Sequence, residues 1–231
     1  MKVMEADVLK LYGFAASNYF NMVKLALLEK QLPFEMVALH GCQNPEVLAI
    51  SARGKVPILE TDQGFISETD VILRYIEETQ PGRALLPEDP FSRAQVWTIA
   101  KEIELYIELP ARLCYVEAIF GGRPTPEDLK AKARRDLLKG FQALAQRARF
   151  APYVAGENFT LADLYFLYSV DHAQQVAEKL FGLDLLRDMP GARALLEHLA
   201  LNPNVQQVAA DREAEWPSFL ARVQAVARKA G

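Results

Sequence analysis

The stretch that decides the fold is VLKLYGFAASNYFNMVKLALLEKQLPFEMVA, residues 8–38. Its first apolar run, Val8 to Tyr12, predicts a strand closed by a glycine. Asn18 to Lys30 carries apolar residues at helical spacing, and a Gln-Leu-Pro segment predicts the end of that helix. Phe34 to Ala38 predicts a second strand. Because a helix connects them, the two strands should be parallel and the connection right-handed.

The following residues complete a small α/β unit. Pro45 to Ile50 predicts a short helix, and Pro57 to Glu60 predicts a third strand. Asp62-Gln63-Gly64 forms a tight turn into Phe65-Ile66, which predicts an antiparallel hairpin. A helix from Glu68 to Thr79 ends the order β-α-β-α-β-β-α, and this order predicts one compact α/β domain.

A proline-rich connector separates this domain from a helical second half. Repeated proline between Pro81 and Pro90 holds the chain extended and excludes helix. Pro110 should kink the first long helix, because proline cannot donate to the carbonyl of Tyr106. We therefore expect an α/β domain at 1–82, a linker at 83–91 and an all-α domain at 92–231, with helices at 91–119, 127–150, 160–178, 191–200 and 202–211.

Composition excludes several classes of function. The chain has 231 residues, 51% of them hydrophobic, and its net charge is -4 without a long basic cluster, so we expect no nucleic-acid partner. Acidic residues interrupt the N-terminus where a signal peptide is apolar, and no run is long enough for a membrane span, which predicts a cytoplasmic protein. The two cysteines form no CxxC pair and should be buried thiols, and the three histidines lack metal-ligand spacing. We expect no metal.

Two short segments of the first domain suggest a ligand site. A proline at the start of a strand, Val56-Pro57, needs a turn, and a cis bond there would expose main-chain groups of Val56 to a peptide ligand. Ser67-Glu68-Thr69 opens a helix, and ordinary capping by Ser67 explains it fully. The same helix start could instead receive a carboxylate, with the Thr69 hydroxyl as a further donor and Glu68 pairing with an ammonium group.

Two more segments flank helix starts. The loop Phe14 to Asn18 follows the first strand at the edge where α/β proteins bind ligands, and Ser17 could either cap the helix or point its hydroxyl at a bound thiol. Thr160-Leu161-Ala162-Asp163 forms a capping box with aspartate in place of glutamate. We interpret the capping box as structural.

Taken together, these segments resemble the glutathione transferase family along nearly the whole chain. The matching pieces are LYGFAAS at 11–17, GKVPIL at 54–59, SETDVILRYIEE at 67–78, LLPEDPFSRA at 85–94 and FTLADLYF at 159–166. The resemblance implies a thioredoxin-like N-terminal domain followed by an all-helical C-terminal domain. It also implies glutathione as co-substrate, a small hydrophobic electrophile as second substrate, and a homodimer.

The resemblance assigns glutathione contacts residue by residue. The Val56 backbone, next to a cis Pro57, should pair with the cysteinyl part, and Glu68 and Thr69 should hold the γ-glutamyl amino and carboxylate groups. Lys55 is a candidate for the glycine carboxylate. His40 is a second candidate for that role, with a solvated loop histidine as the alternative.

For the thiol, the family uses tyrosine, serine or cysteine, and the register of the first helix leaves Ser17, as in the phi, theta and zeta classes. Asn18 could share or take the contact, because one bacterial class uses a Thr/Asn pair. Thr69 departs from the family's more usual serine. A hydroxyl donating to sulfur and the positive end of the first helix would both favour the thiolate.

The second substrate is open at this stage. Tyr106, Arg112, Tyr115 and Tyr165 are plausible liners of an electrophile pocket, with ordinary packing as the alternative for each. A glutathione-dependent peroxidase or disulfide reductase would use the same site. A non-catalytic binding or assembly module on the same scaffold is a further alternative, since fold does not fix function.

Overall fold

In the computed structural model, which describes residues 8–229, the chain begins with a four-stranded sheet. Its strands are β1 (Leu9–Gly13), β2 (Phe34–Ala38), β3 (Ile58–Thr61) and β4 (Gly64–Ser67), in the order β2-β1-β3-β4. β1 is parallel to β2, whereas β3 is antiparallel to both β1 and β4. The predicted parallel βαβ unit and the predicted hairpin are confirmed.

Three helices pack with this sheet: α1 (Asn18–Glu29), α2 (Pro45–Ile50) and α3 (Thr69–Thr79). α1 is buried along nearly its whole length, and Met22, Leu25 and Ala26 have no exposed surface. A helix on the surface of a single domain would keep a polar face, so this burial means that α1 is covered from two sides. The sheet domain covers one side, and the helical half of the chain covers the other.

The second half is entirely helical. Its elements are α4 (Pro90–Ile103), a π-helical turn (Glu104–Glu108), α5 (Leu109–Arg112), α6 (Tyr115–Ala118), α7 (Glu127–Arg147), α8 (Leu161–Phe181), α9 (Pro190–Ala200) and α10 (Pro203–Lys229). The fold is therefore a thioredoxin-like domain followed by an all-helical domain, as expected.

The prediction of one unbroken helix over 91–119 is wrong. The π-helical turn sits directly before Pro110, which lies in the first turn of α5. Because Pro110 cannot donate to the carbonyl of Tyr106, the backbone widens there instead of kinking within a single helix. A Cβ on Gly140 of α7 would lie 2.2 Å from that same carbonyl oxygen, so α7 packs tightly against the widened turn.

The last helix is much longer than the predicted piece at 202–211. α10 runs from Pro203 to Lys229 and continues past Pro217. It returns to the first domain, where Asp211 pairs with the Lys24 ammonium, a side chain of α1 that is only 1% exposed. Sequence periodicity could not show this contact, because it joins residues 187 positions apart.

The predicted capping box at the start of α8 is confirmed. The Asp163 carboxylate has no exposed surface and accepts from the main-chain N–H groups of Thr160 at 2.7 Å and Val154 at 2.8 Å. It thus fixes both the helix start and the preceding loop. Burial raises the pKa of Asp163 to about 6, although the hydrogen bonds that it accepts act in the opposite direction.

Candidate active site

One cavity of about 480 Å³ lies where the two domains meet. The loop after β1, the segment before β3, the start of α3 and the π-helical turn with α5 enclose it. Its walls are formed by Phe14, Ser17, Tyr19, Gly41, Ser51, Lys55, Val56, Pro57, Ser67, Glu68, Thr69, Asp70, Glu104, Leu109 and Arg112.

Ser17 lies in this wall as the N-cap of α1. Its backbone is extended, with φ -86° and ψ 118°, and its Oγ accepts a long hydrogen bond of 3.4 Å from the N–H of Phe20. A hydroxyl that accepts a bond keeps its own proton for donation. Ser17 can therefore cap α1 and donate to a ligand sulfur in the cavity at the same time, so the two alternatives from the sequence are compatible.

Asn18 is not among the cavity residues. Its side-chain amide is engaged at both ends: Nδ2 donates to the carbonyl of Tyr168 at 3.3 Å, and Oδ1 accepts from Arg112 at 2.8 Å. The geometry therefore gives Asn18 the task of tying α1 to the helical domain. A thiol contact, which the resemblance left open for Asn18, would require breaking these bonds.

The segment before β3 presents main-chain groups to the cavity. The Val56-Pro57 peptide bond is cis. Ser51 holds the preceding residue, because its Oγ accepts from the N–H of Lys55 at 3.1 Å and donates to the carbonyl of Lys55 at 2.9 Å. Among the described residues, no hydrogen bond involves the main-chain N–H or C=O of Val56. These groups are available to an extended peptide ligand.

The start of α3 differs from the sequence prediction. Ser67 is the last residue of β4, and Glu68 is the N-cap, so the expectation that Ser67 caps this helix is wrong. Glu68 has φ 72° and ψ 125°, a backbone conformation that is costly for a residue with a side chain, and its carboxylate does not cap the helix. The Glu68 side chain is exposed, whereas Thr69, the first residue of α3, is buried.

His40 lies outside the cavity wall. Its ring packs against Phe14 at an interplanar angle of 41°, with centroids 4.6 Å apart, and its Nε2 is 3.8 Å from Oε1 of Glu215 on α10. Burial and the nearby Arg222 lower the pKa of His40, while Glu215 acts in the opposite direction. Of the two candidates for the glycine carboxylate, only Lys55 lines the cavity, whereas His40 contacts the lining residue Phe14.

Three of the four residues assigned to an electrophile pocket do not line this cavity. Tyr106 is exposed in a different cleft, together with Trp97 of α4. Tyr115 is buried and donates to the fully buried Glu108 at 2.7 Å, and Tyr165 has no exposed surface. None of the three is among the residues that line the cavity, and the sequence could not show this because helix rotation and packing set side-chain direction.

Arg112, the fourth residue, does line the cavity. Its guanidinium lies between the rings of Tyr19 and Tyr115, 5.0 and 5.1 Å from their centroids, and donates to Glu108 at 2.6 Å. Sequence reasoning missed Tyr19, Glu104 and Leu109, which line the same side of the cavity. The signal that could have found them was their position beside Ser17 and beside the break at Pro110.

Both cysteines are free thiols. Cys114 is buried as expected, and burial raises the pKa of its thiol. Cys42 is only half-buried, which corrects the expectation for that residue, because it lies in the loop against Gly54. Within residues 8–229, no three His, Cys, Asp or Glu side chains cluster closely enough to hold a metal ion.

Of the helices that the structure describes, none has the length and apolar character needed to span a membrane.

The thioredoxin-like domain places the loop after β1, the cis-proline segment and a helix start around one cavity, and an all-helical domain follows it. This arrangement defines the class of two-domain glutathione-binding proteins. The family models for the N-terminal and C-terminal domains of glutathione S-transferase match residues 11–84 and 107–203. The chain belongs to the glutathione transferase family.

Individual relatives agree with this assignment. The chain is 57% identical over 217 residues to a glutathione S-transferase of Pseudomonas putida, covering 94% of this chain and 98% of the relative. It is 31% identical to a zeta-class glutathione S-transferase of Euphorbia esula, covering 91% and 93%. Among solved structures, maleylacetoacetate isomerase from Methylobacterium extorquens, with malonate and glutathione bound, aligns with a TM-score of 0.67 at 26% identity, covering 86% and 95%.

Proposed function

We propose that this enzyme is a glutathione transferase that activates the glutathione thiol as a thiolate for attack on a small hydrophobic electrophile. Family membership makes glutathione the thiol substrate. The observation that carries the proposal is that one cavity combines the Ser17 hydroxyl, the start of α3 and the main chain of Val56, which has no hydrogen-bond partner within residues 8–229.

Glutathione would lie along the N-terminal domain. Its cysteinyl backbone would pair with the main-chain N–H and C=O of Val56 next to Pro57, as an added strand does. Its γ-glutamyl carboxylate would accept from the start of α3 and from Thr69, where unpaired amides and the helix dipole favour an anion, and Glu68 would hold the ammonium. Lys55 would pair with the glycine carboxylate.

This placement directs the thiol toward Ser17. The hydroxyl would donate to the sulfur, and the positive end of α1 would favour the thiolate further. A reduction of the thiol pKa by about two units, at about 1.4 kcal/mol each, takes it from about 8.5 to about 6.5 and makes the thiolate dominant near neutral pH. The electrophile would approach from the side formed by Tyr19, Leu109 and Arg112.

The activity is tested with three classes of second substrate. Bound glutathione is first titrated by its thiolate absorbance, and turnover is then measured with an aryl halide, an organic peroxide and a mixed disulfide. We expect the aryl halide to be conjugated. Failure to bind glutathione would refute the proposal, whereas turnover of only the peroxide or the disulfide would assign the same site to a peroxidase or a disulfide reductase.

Glu68→Gln tests how the γ-glutamyl group is held. We expect Kd and KM for glutathione to rise roughly tenfold, because a carboxylate pairing with an ammonium contributes about 1.5 kcal/mol more than a neutral amide. Isothermal titration calorimetry measures Kd directly, and steady-state kinetics gives KM and kcat. Glu78→Gln is the matched control, because Glu78 lies exposed at the far end of the same helix. Equal Kd values for parent and Glu68→Gln would contradict the assignment.

We propose that the chain forms a homodimer through α3, α4 and the π-helical turn. Exposed apolar side chains Val71, Leu105 and Tyr106 lie on these elements, and a cleft there is lined by Arg74 and Trp97. Large apolar side chains left exposed on neighbouring elements support an interface there.

Sedimentation velocity tests the dimer. The parent should sediment at twice the chain mass of 25.9 kDa, and Val71→Arg should shift it to monomer by placing a charge in the interface. Leu138→Arg, at an exposed leucine on α7, is the control and should stay dimeric. A monomeric parent would remove the proposal.

We also propose that the protein is cytoplasmic and that its domains divide as 1–82 and 92–231 around the linker 83–91. The hydrogen bond from the N–H of Leu161 to the carbonyl of Leu85, at 3.0 Å, supports a fixed linker. Cell fractionation tests the location, and limited proteolysis tests the boundaries. If the protease cuts the chain only at sites outside residues 83–91, the domain boundaries lie at those sites instead.

A further inference from the structure

A carboxylate from the last helix reaches back to the loop that carries Ser17. Oε2 of Glu215 on α10 accepts from the main-chain N–H of Ala15 and, at 3.3 Å, from that of Ala16. Its other oxygen, Oε1, faces two basic groups, His40 at 3.8 Å and Arg222 at 3.3 Å. One side chain therefore satisfies two consecutive amides immediately before the N-cap of α1.

The loop has few other restraints. The N–H of Ser17 donates to the carbonyl of Phe14 at 3.0 Å, and the Asn21 side chain donates to the carbonyl of Ala15 at 2.8 Å. Phe14 thus holds the amide of Ser17, whereas Glu215 holds the amides of Ala15 and Ala16. Because Ser17 follows directly, a change at Ala15 and Ala16 would rotate the Ser17 hydroxyl relative to the cavity.

Helix α10 is firmly placed for this task. Asp211 lies one helical turn before Glu215, so both carboxylates face α1, and Asp211 pairs with the buried ammonium of Lys24. One turn after Glu215, the ring of Phe219 stacks on Phe14 with centroids 5.5 Å apart. α10 begins at Pro203, the last residue that the family's C-terminal domain model matches, so Glu215 lies outside the matched residues.

We propose that Glu215 is a positioning residue of the thiol site: by accepting from Ala15 and Ala16, it holds the loop in the conformation that presents the Ser17 hydroxyl to glutathione. The proposal rests on the proposed function of Ser17. Glu215 does not line the cavity and does not touch the ligand in this arrangement. It acts on the reacting sulfur only through the loop that carries Ser17.

Positioning and simple charge have opposite effects on the bound thiol. A negative charge near the sulfur disfavours the thiolate, so its removal would lower the thiol pKa. Loss of positioning would weaken donation from Ser17 and raise the thiol pKa. The direction of the shift in Glu215→Ala thus separates the two roles.

The experiment compares Glu215→Ala and Glu215→Gln with the parent enzyme. Glutamine keeps an oxygen that accepts from the two amides, so it tests the hydrogen bonds apart from the charge. Glu213→Ala, at an exposed glutamate of the same helix, is the matched control. The measurements are the thiol pKa of bound glutathione by thiolate absorbance, kcat and KM, and amide hydrogen exchange at Ala15 and Ala16 by NMR.

In Glu215→Ala we expect a higher thiol pKa, a kcat that falls roughly tenfold with a smaller change in KM, and faster exchange at both amides. Glu215→Gln should keep most of the exchange protection and most of kcat, and Glu213→Ala should match the parent. In Ser17→Ala, adding Glu215→Ala should give no further rise in thiol pKa, because both changes act through one hydroxyl.

Three results would overturn the proposal. They are a thiol pKa that falls or stays constant in Glu215→Ala, unchanged exchange at Ala15 and Ala16, and additive effects in the double variant. If Glu215→Ala does not fold, the same comparison is made with Glu215→Met, which keeps the length of the side chain but offers the two amides no carboxylate or amide oxygen. A parent enzyme that fails to bind glutathione would refute the proposed function instead, and hydrogen exchange would still report whether Glu215 holds the loop.

Discussion

Replacing Ser17 with alanine should lower kcat/KM for glutathione conjugation roughly 100-fold, the usual effect of removing one donor from a developing or stabilised anion. The hydroxyl is the side-chain donor that the loop after β1 offers to the cavity at the start of α1. Without it, the thiolate keeps the helix dipole but loses this hydroxyl donor. The thiol pKa of bound glutathione should rise by about one unit or more, equivalent to about 1.4 kcal/mol per unit.

Asn18→Ala is the informative comparison for this prediction. Both polar ends of the Asn18 amide are bonded to the helical domain, so its loss should lower the free energy of unfolding and leave the thiol pKa unchanged. Thiolate absorbance across pH, measured on both variants with saturating glutathione, gives the result. A thiol pKa that responds to Asn18→Ala and not to Ser17→Ala would reverse the assignment.

Replacing Asp163 with alanine should cost about 4 kcal/mol of unfolding free energy at neutral pH. The change leaves the buried N–H groups of Val154 and Thr160 without an acceptor, and each unsatisfied buried group costs about 1 to 3 kcal/mol. It also opens a space under the start of α8, where Asp163 has no exposed surface. Urea unfolding followed by circular dichroism measures the loss.

The same side chain gives a pH dependence of known sign. Because the folded pKa of Asp163, about 6, lies above its ordinary value of 3.8, the native state binds this proton more tightly than the unfolded state. Its contribution to stability is full below about pH 4 and is lost as pH rises through 6. The stability advantage of the parent over Asp163→Asn, which cannot titrate, should therefore be smaller at pH 7.5 than at pH 5.

Asp128→Ala serves as the control for both measurements, because Asp128 is an exposed aspartate in the first turn of α7. Its loss should lower the free energy of unfolding by less than about 1 kcal/mol, the usual contribution of an exposed charge near a helix N-terminus. Equal costs for Asp128→Ala and Asp163→Ala would contradict the structural role of the buried capping box.

Local pattern was sufficient for much of the fold. The alternation of apolar runs over residues 8–38 predicted the parallel βαβ unit, because strand and helix periods are properties of consecutive residues. The turn at Asp62 to Gly64 predicted the hairpin, and Thr160 with Asp163 predicted the start of α8. Pro110 predicted an irregularity, although the sequence did not show that it takes the form of a π-helical turn against which Gly140 packs.

The side of the cavity formed by the N-terminal domain was predictable, because each of its residues belongs to a short segment with a recognisable local pattern. Val56, Glu68, Thr69 and Ser17 each lie at the end of a strand or the start of a helix, and such ends converge at one edge of the sheet. The helical side of the cavity was not predictable in this way. Tyr106 lies in the π-helical turn, Tyr115 in the short helix α6 and Tyr165 in α8. Their directions depend on how each of these elements packs against its neighbours.

By itself, then, the amino-acid sequence determined the order of strands and helices, the two-domain architecture, the family, and the main-chain features that face the cavity, because these follow from short-range periodicity and turn chemistry. Only the tertiary structure decided which tyrosines are buried, that Asn18 is occupied by Arg112, and that Glu215 reaches the amides before Ser17. The physical reason is distance along the chain: Glu215 and Ala15 are separated by 200 residues, and only packing of α10 against α1 brings them together.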